Sequence, residues 1–442
     1  MTIASCDEPR GWRLRFAALL TGIAIGIVGT AFRIGADEGY AGFAGLLAAE
    51  GDGALPGWLL GALAGAALTA AAVFLTRRFA PEAAGSGIQE IEGTLAGVRP
   101  PLRWSRILPV KFVAGILAMV PGLVLGREGP TIHMGGCAGG ALSSRMAPRR
   151  EDARVLVGAG AAAGLAVAFG APLGGFLFAL EELRREFRLT VASAHCVLLA
   201  VLAAVLVCFA LREPGRSLPI PVYAQAGAGD LLLTVPFAIL AGVCGVLFNA
   251  GLVHALDALR EVVRRVGWLV PALVTGGAVG AIVFAWPDLT GGGEELVIRL
   301  LTTPQAMRAL LVVLVARLLV FGASYAAGTP GGIFAPQLAF GALLGLLYAG
   351  SVDAIAPGAA AEPGRFAVAG MAALLTATVR APLTALALVV EMTGSYPLLL
   401  MVLLAVVVAD LTANAAGGRP IYETLLERTL RIARGNDAAN ET

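Results

Sequence analysis

Three glycine-rich stretches hold the residues best suited to chemistry: AGSGIQE at 84–90, GREGP at 126–130 and GTPGGIFAP at 328–336. Each offers backbone amides free of bulky side chains, then apolar or proline-led sequence that suits a helix. A helix that starts inside a membrane exposes N–H groups that lipid cannot satisfy. An anion is the natural acceptor, because that end also carries about half a positive charge. Gly85, Gly87, Gly126, Gly129, Gly331 and Gly332 are the glycines that open these three helix starts. Converging, such ends hold a dehydrated anion without a full cationic clamp, which would grip too tightly for rapid release. Ser86 adds a hydroxyl donor.

Within GREGP, Arg127 and Glu128 are adjacent. Neighbouring residues on a helix do not face each other, so a mutual ion pair is poorly arranged. An acid at membrane depth is a functional candidate by default. Desolvation favours its neutral form and helix N-termini favour its carboxylate. With those tendencies opposed, one group can alternate between anion mimic and proton carrier. Arg127 is read as scaffold, bonding backbone carbonyls or another acid. Glu181 and Glu182 end an apolar run beside Arg184, Arg185 and Arg188, where Glu181 reads as a solvated helix end with ordinary salt bridges. Glu391 reads as structural, paired with Arg380 or Arg317. Lys111, the only lysine among 32 basic residues, either snorkels to the cytoplasmic edge or raises the potential met by anions, with the structural role preferred. His133, His195 and His254 are isolated and read as satisfied polar residues.

The elements that must position these groups are membrane helices. The 442 residues are 58% hydrophobic and only 14% charged, with mean hydropathy +0.82, whereas soluble domains carry about a quarter charged residues. Phe16–Phe32, Leu55–Thr76, Val155–Leu180, Leu189–Leu211, Leu231–Val253 and Val266–Trp286 are uncharged runs near the ~20 residues that a spanning helix needs. An all-α polytopic membrane protein follows, not a β-barrel with its short alternating segments. The leader carries Asp7 and Glu8 and no cleavage pattern, so no secretory signal is expected. Asp37, Glu38, Glu50 and Asp52 follow the first span. Arg77, Arg78, Arg99, Arg103 and Arg106 follow the second, and Arg428, Arg431 and Arg434 lie in the tail. The positive-inside rule therefore puts both termini in the cytoplasm. A net charge of +2 offers nothing to a nucleic-acid partner, and the five cysteines show neither metal spacing nor a disulfide framework, so they read as buried small hydrophobes.

At a constant offset of 210 residues, GAAAGLAVAFGAPLGGFLFALEE (160–182) falls on GMAALLTATVRAPLTALALVVEM (370–392). Ala171–Pro172–Leu173 meets Ala381–Pro382–Leu383, and Glu181 meets Glu391. The reading is a single transmembrane domain, 1–442, with repeats near 15–211 and 231–416. Paired halves with Gly/Pro-broken helices in matching places point to a transporter with a midplane site. No HExxH, P-loop or dinucleotide motif appears, so an enzyme is not expected. GASY at 322–325 offers Ser324 as a nucleophile for an intramembrane protease with His195 as base, but without an oxyanion arrangement.

GSGIQE, GREGP and GGIFAP resemble the three signature motifs of the CLC chloride channels and proton/chloride antiporters. RPIYETLLERTL (419–430) resembles the cytoplasmic helix that returns that family's pore tyrosine, here within 419–434. LPVKFVAG, AFGAPLGGFLFALEELRREFR and RAPLTALALVVEMTGSY follow in the family's order and spacing. The resemblance implies two inverted-topology repeats of broken, tilted helices. It implies that Ser86 and Tyr422 coordinate a central anion through hydroxyls, and Ile333 and Phe334 through backbone amides. Glu128 is then the gating glutamate and Glu182 the internal proton glutamate. Channel members generally lack an acid there, so Glu182 favours chloride/proton exchange over a passive channel. Ser86, rather than proline, matches chloride-selective members over nitrate-selective ones, and GREGP and GSG differ from the fluoride exporters' motifs. The family also implies a homodimer in the bilayer with one pathway per subunit. No cofactor and no metal are expected, the compact, arginine-rich chain suits a bacterial inner membrane, and the short tail after Tyr422 leaves no regulatory domain expected. One departure stands out: Gln89 occupies the place of the proline that usually helps start the first half-helix.

Overall fold

The computed structural model describes residues 8–49, 55–146, 149–183, 190–212 and 217–440. Those residues form helices and no β-ladder beyond two isolated bridges. The first half runs α1 (Glu8–Ala49), α2 (Gly57–Phe79), α3 (Ile88–Ala96), α4 (Trp104–Met119), α5 (Glu128–Met146), α6 (Arg150–Phe169), α7 (Pro172–Glu181) and α8 (Val191–Leu211). The second half repeats that order as α9 (Ala228–Val266), α10 (Leu269–Ala285), α11 (Glu294–Thr302), α12 (Met307–Ala326), α13 (Phe334–Ile355), α14 (Pro363–Val379), α15 (Pro382–Thr393) and α16 (Leu399–Ala415). A final helix, α17 (Ile421–Asn440), follows. Eight helical segments among the described residues are long and apolar enough to cross a membrane. By contrast α3 and α11, nine residues each, are far too short. Val155–Leu180, apolar throughout, is not one span: Gly170 turns left-handed at φ 64° and α7 restarts at Pro172. Asp37 and Glu38 lie inside the 42-residue α1, not in a loop after it.

Equivalent helices of the two halves meet antiparallel. Gly61 and Gly65 of α2 pack on Gly280 and Gly276 of α10, where an added Cβ at Gly61 would sit 2.4 Å from the Gly280 carbonyl oxygen. The same device closes each half internally. A Cβ at Gly135 would lie 2.0 Å from the Gly160 carbonyl oxygen, and one at Gly341 would lie 2.2 Å from that of Gly370. Small residues thus let backbones approach where no hydrophobic effect drives helices together.

Glu181 and Glu391 supply the clearest repeat signature. Glu391, near the end of α15, accepts the Leu173 and Gly174 amides at 3.0 and 2.8 Å, capping α7. Glu181, at the end of α7, accepts the Leu383 and Thr384 amides at 2.9 and 2.6 Å, capping α15. Glu391 pairs with neither Arg380 nor Arg317, and among the described residues Glu181 bonds these amides and the Thr384 hydroxyl and no arginine. Free amides at a proline-led helix start are the nearer partners, and Arg380 instead bonds Asp410 while Arg317 bonds backbone carbonyls. Arg184, Arg185 and Arg188 lie outside the described residues. Cys137, Cys196 and Cys208 are buried free thiols, as expected, whereas Cys244 is only half-buried and Cys6 lies outside the described residues.

Candidate anion site

All three glycine stretches open helices at one place. The Gly85 amide donates to Thr329 at 2.9 Å and the Gly331 amide donates to Gly85 at 3.0 Å, joining the first motif to the third. Gly126 and Gly332 exchange both backbone bonds, at 2.9 and 2.6 Å, joining the second to the third. From this knot start α3, α5 and α13, with their first turns buried. Gln89 does not prevent the start of α3, because Gly87 as its N-cap turns the chain at φ 87°, a conformation that needs no proline.

Glu128 is the first residue of α5 and is wholly buried. Its Oε1 accepts the Phe334 amide at 2.7 Å, the first amide of α13. Its Oε2 has no hydrogen-bond partner among the described residues. The carboxylate needs glycine on both sides: a Cβ at Gly126 or Gly332 would meet its oxygens at 2.1 and 2.2 Å. Arg127 points elsewhere, to Asp37, to Glu294 at 2.7 Å and to the Ala168 carbonyl at 3.2 Å. The adjacent charges are therefore separate parts, as helix geometry requires.

Below Glu128, a Cβ at Gly129 would touch the Ser86 hydroxyl at 2.6 Å. The hydroxyls of Ser86 and Tyr422 are fully buried and lack partners among the described residues. Tyr422, in the first turn of α17, packs on Phe334 with ring centroids 5.9 Å apart, and Phe169 stacks on Phe334 at 6.5 Å. Ile333, the N-cap of α13, is fully buried beside them. A buried polar group without a partner costs about 1–3 kcal/mol, so two orphan hydroxyls beside a helix terminus suit an acceptor such as an anion. Glu182 is half-buried just past α7, about 15 Å along that helix from Pro172. Ser324 is buried with its Oγ accepting the Val124 amide, while His195 is exposed on α8, so the protease pairing has no support here.

Two residues shape the site that sequence reasoning undervalued or missed. Lys111 reaches no membrane edge: it is fully buried, and its Nζ donates to the carbonyls of Ala83, Gly85 and Ser86 at 2.9, 2.7 and 3.0 Å. Tyr325 is buried at the end of α12, with its hydroxyl accepting the Ser86 amide at 3.4 Å. Both partner loop backbone, which leaves no side-chain pattern to find; the 206-residue spacing from Lys111 to Arg317 was the available signal.

A family model described as voltage gated chloride channel matches residues 65–414. The chain is 40% identical over 417 residues to an H(+)/Cl(-) exchange transporter ClcA of Vibrio parahaemolyticus serotype O3:K6, covering 94% of this chain and 89% of the relative. A ClcA of Vibrio cholerae serotype O1 is 42% identical over 419 residues, with the same coverage. Among solved structures, a slow cyanobacterial Cl-/H+ antiporter aligns with TM-score 0.89 and 34% identity, over 95% of this chain and 98% of that one. A eukaryotic CLC transporter aligns with TM-score 0.77 and 25% identity, over 94% of this chain and 74% of that one. With its motifs knotted at the same place and its family model spanning most of the chain, this protein belongs to the voltage-gated chloride channel, or CLC, family.

Proposed function

We propose that this chain is a secondary active transporter exchanging chloride for protons across a membrane. The observation that carries the reading is the Glu128 carboxylate seated on the Phe334 amide at 2.7 Å, a donor suited to a transported anion. Ser86 and Tyr422 hold the central anion through hydroxyls, and Ile333 and Phe334 through backbone amides. Relatives named as H(+)/Cl(-) exchange transporters support the same cargo.

The cycle follows from competition. As a carboxylate, Glu128 mimics an anion and blocks the path. A proton removes its charge and with it most of its attraction to the α13 terminus, so chloride takes the amide in its stead. One side chain then carries a proton one way for chloride moving the other. Glu182 feeds protons from the cytoplasmic side. The ions are the cargo, and no cofactor takes part. The protein works as a homodimer with one pathway per subunit, in a bacterial inner membrane with both termini cytoplasmic. It is a single transmembrane domain of two halves, near 15–211 and 231–416.

Reconstituted Glu128→Ala is expected to keep chloride flux and lose coupled proton movement to background. Glu182→Gln is expected to lose the proton limb as well. Proton movement retained by either variant removes that residue from the proposed route.

A further inference from the structure

Tyr325 ends α12 and is buried against Phe321, with ring centroids 6.0 Å apart. Its hydroxyl accepts the Ser86 N–H, 3.4 Å away. The peptide unit linking Gly85 to Ser86 is thereby held at both ends. Its carbonyl receives Lys111 Nζ at 2.7 Å and the Gly331 amide at 3.0 Å, and its N–H goes to Tyr325. Gly85 turns left-handed at φ 62°, which favours glycine, and a Cβ there would lie a tight 3.2 Å from the tyrosine oxygen.

The second half carries the same turn, but the hydroxyl beside it, that of Tyr40, bonds the Thr290 side chain at 2.9 Å instead of a turn amide. Gly291 and Gly293 adopt φ of 69° and 109°, matching 62° and 87° at Gly85 and Gly87. Arg317 holds the Thr290 and Gly291 carbonyls at 2.8 and 2.6 Å, in the role Lys111 plays opposite. The counterpart of Tyr325, 206 residues earlier, is Met119, and α11 still starts normally after Gly293. A hydroxyl on the turn amide is therefore not needed to build the turn. It occurs in the half whose turn carries Ser86.

We infer that Tyr325 tunes the anion site by withholding the Ser86 amide from the ion. This rests on the reading of Ser86 as an anion ligand. The Ser86 N–H precedes the α3 terminus, where the backbone favours negative charge. With Tyr325 accepting it, Ser86 presents its hydroxyl alone, and the ion is held more loosely than the backbone would otherwise hold it. Weaker holding favours release, as rapid transport requires. Tyr325 is a positioning residue: it acts on the ion through the Ser86 peptide.

The test is chloride binding by isothermal titration calorimetry on detergent-purified protein, alongside turnover in liposomes. Tyr325→Phe keeps the ring and frees the amide. It is expected to bind chloride on the order of tenfold more tightly, the worth of one added hydrogen bond to a charged group, and to turn over more slowly. Tyr325→Met, which copies the other half, is expected to shift affinity in the same direction. Affinity unchanged or weakened in both variants, with Ser86→Ala weakening binding, overturns the inference and leaves the site reading standing. Affinity unchanged in Ser86→Ala overturns the site reading, and this inference with it.

Discussion

Lys111 and Arg317 stand 206 residues apart and perform one task, each fully buried and each binding the carbonyls of the turn that leads into a nine-residue helix. Lys111→Met strips that donor from three buried carbonyls, of which that of Gly85 keeps the Gly331 amide, so the about 1–3 kcal/mol for a lost partner falls on those of Ala83 and Ser86, offset in part because no ammonium is then desolvated. Its thermal melting point in detergent is expected to fall by several degrees, and Lys111→Arg to lose less, because the other half already uses arginine for this purpose. Equal losses in the two variants would contradict that equivalence. At this scale the sequence was uneven. Glu128 was legible because adjacent helical residues diverge and an acid at membrane depth is costly. Lys111 was left between the membrane edge and a buried place because its partners are carbonyls, and Tyr325 escaped notice because its partner is an amide. Backbone atoms carry no residue type, so such contacts leave no trace in composition or spacing.

At the scale of elements, glycine and proline told where helices break. The starts of α3, α5 and α13 fall within the three stretches that the sequence singled out. The repeat was legible from the shared Ala-Pro-Leu and the aligned glutamates, whereas what the glutamates do was not. Each caps the helix on which its counterpart stands, a contact between segments more than 200 residues apart. Glu391→Ala removes the acceptor of two amides in the first turn of α7 and is expected to cost about 0.5–2 kcal/mol, the range for lost N-caps. Because the two caps serve different helix ends, Glu181→Ala combined with Glu391→Ala is expected to cost about the sum of the two. Denaturation of the single and double variants checks both figures, and strong non-additivity would mean that the caps act as one unit.

For the whole molecule, the exchange of backbone bonds between Gly126 and Gly332 is one of the places where the two halves meet, and the candidate site is built around it. The first turns of α5 and α13 converge there, one supplying the carboxylate and the other the amide that it occupies. In the proposed cycle that juxtaposition couples the fluxes, since an anion and an ionised Glu128 would compete for one donor and a proton would decide between them. The most direct measurement uses purified protein in liposomes with a chloride gradient and no proton gradient. Chloride moving down its gradient is expected to drive protons the opposite way, against no initial proton force, until a pH difference builds. Chloride flux with no accompanying proton movement would contradict it and mark the protein as a passive chloride pathway.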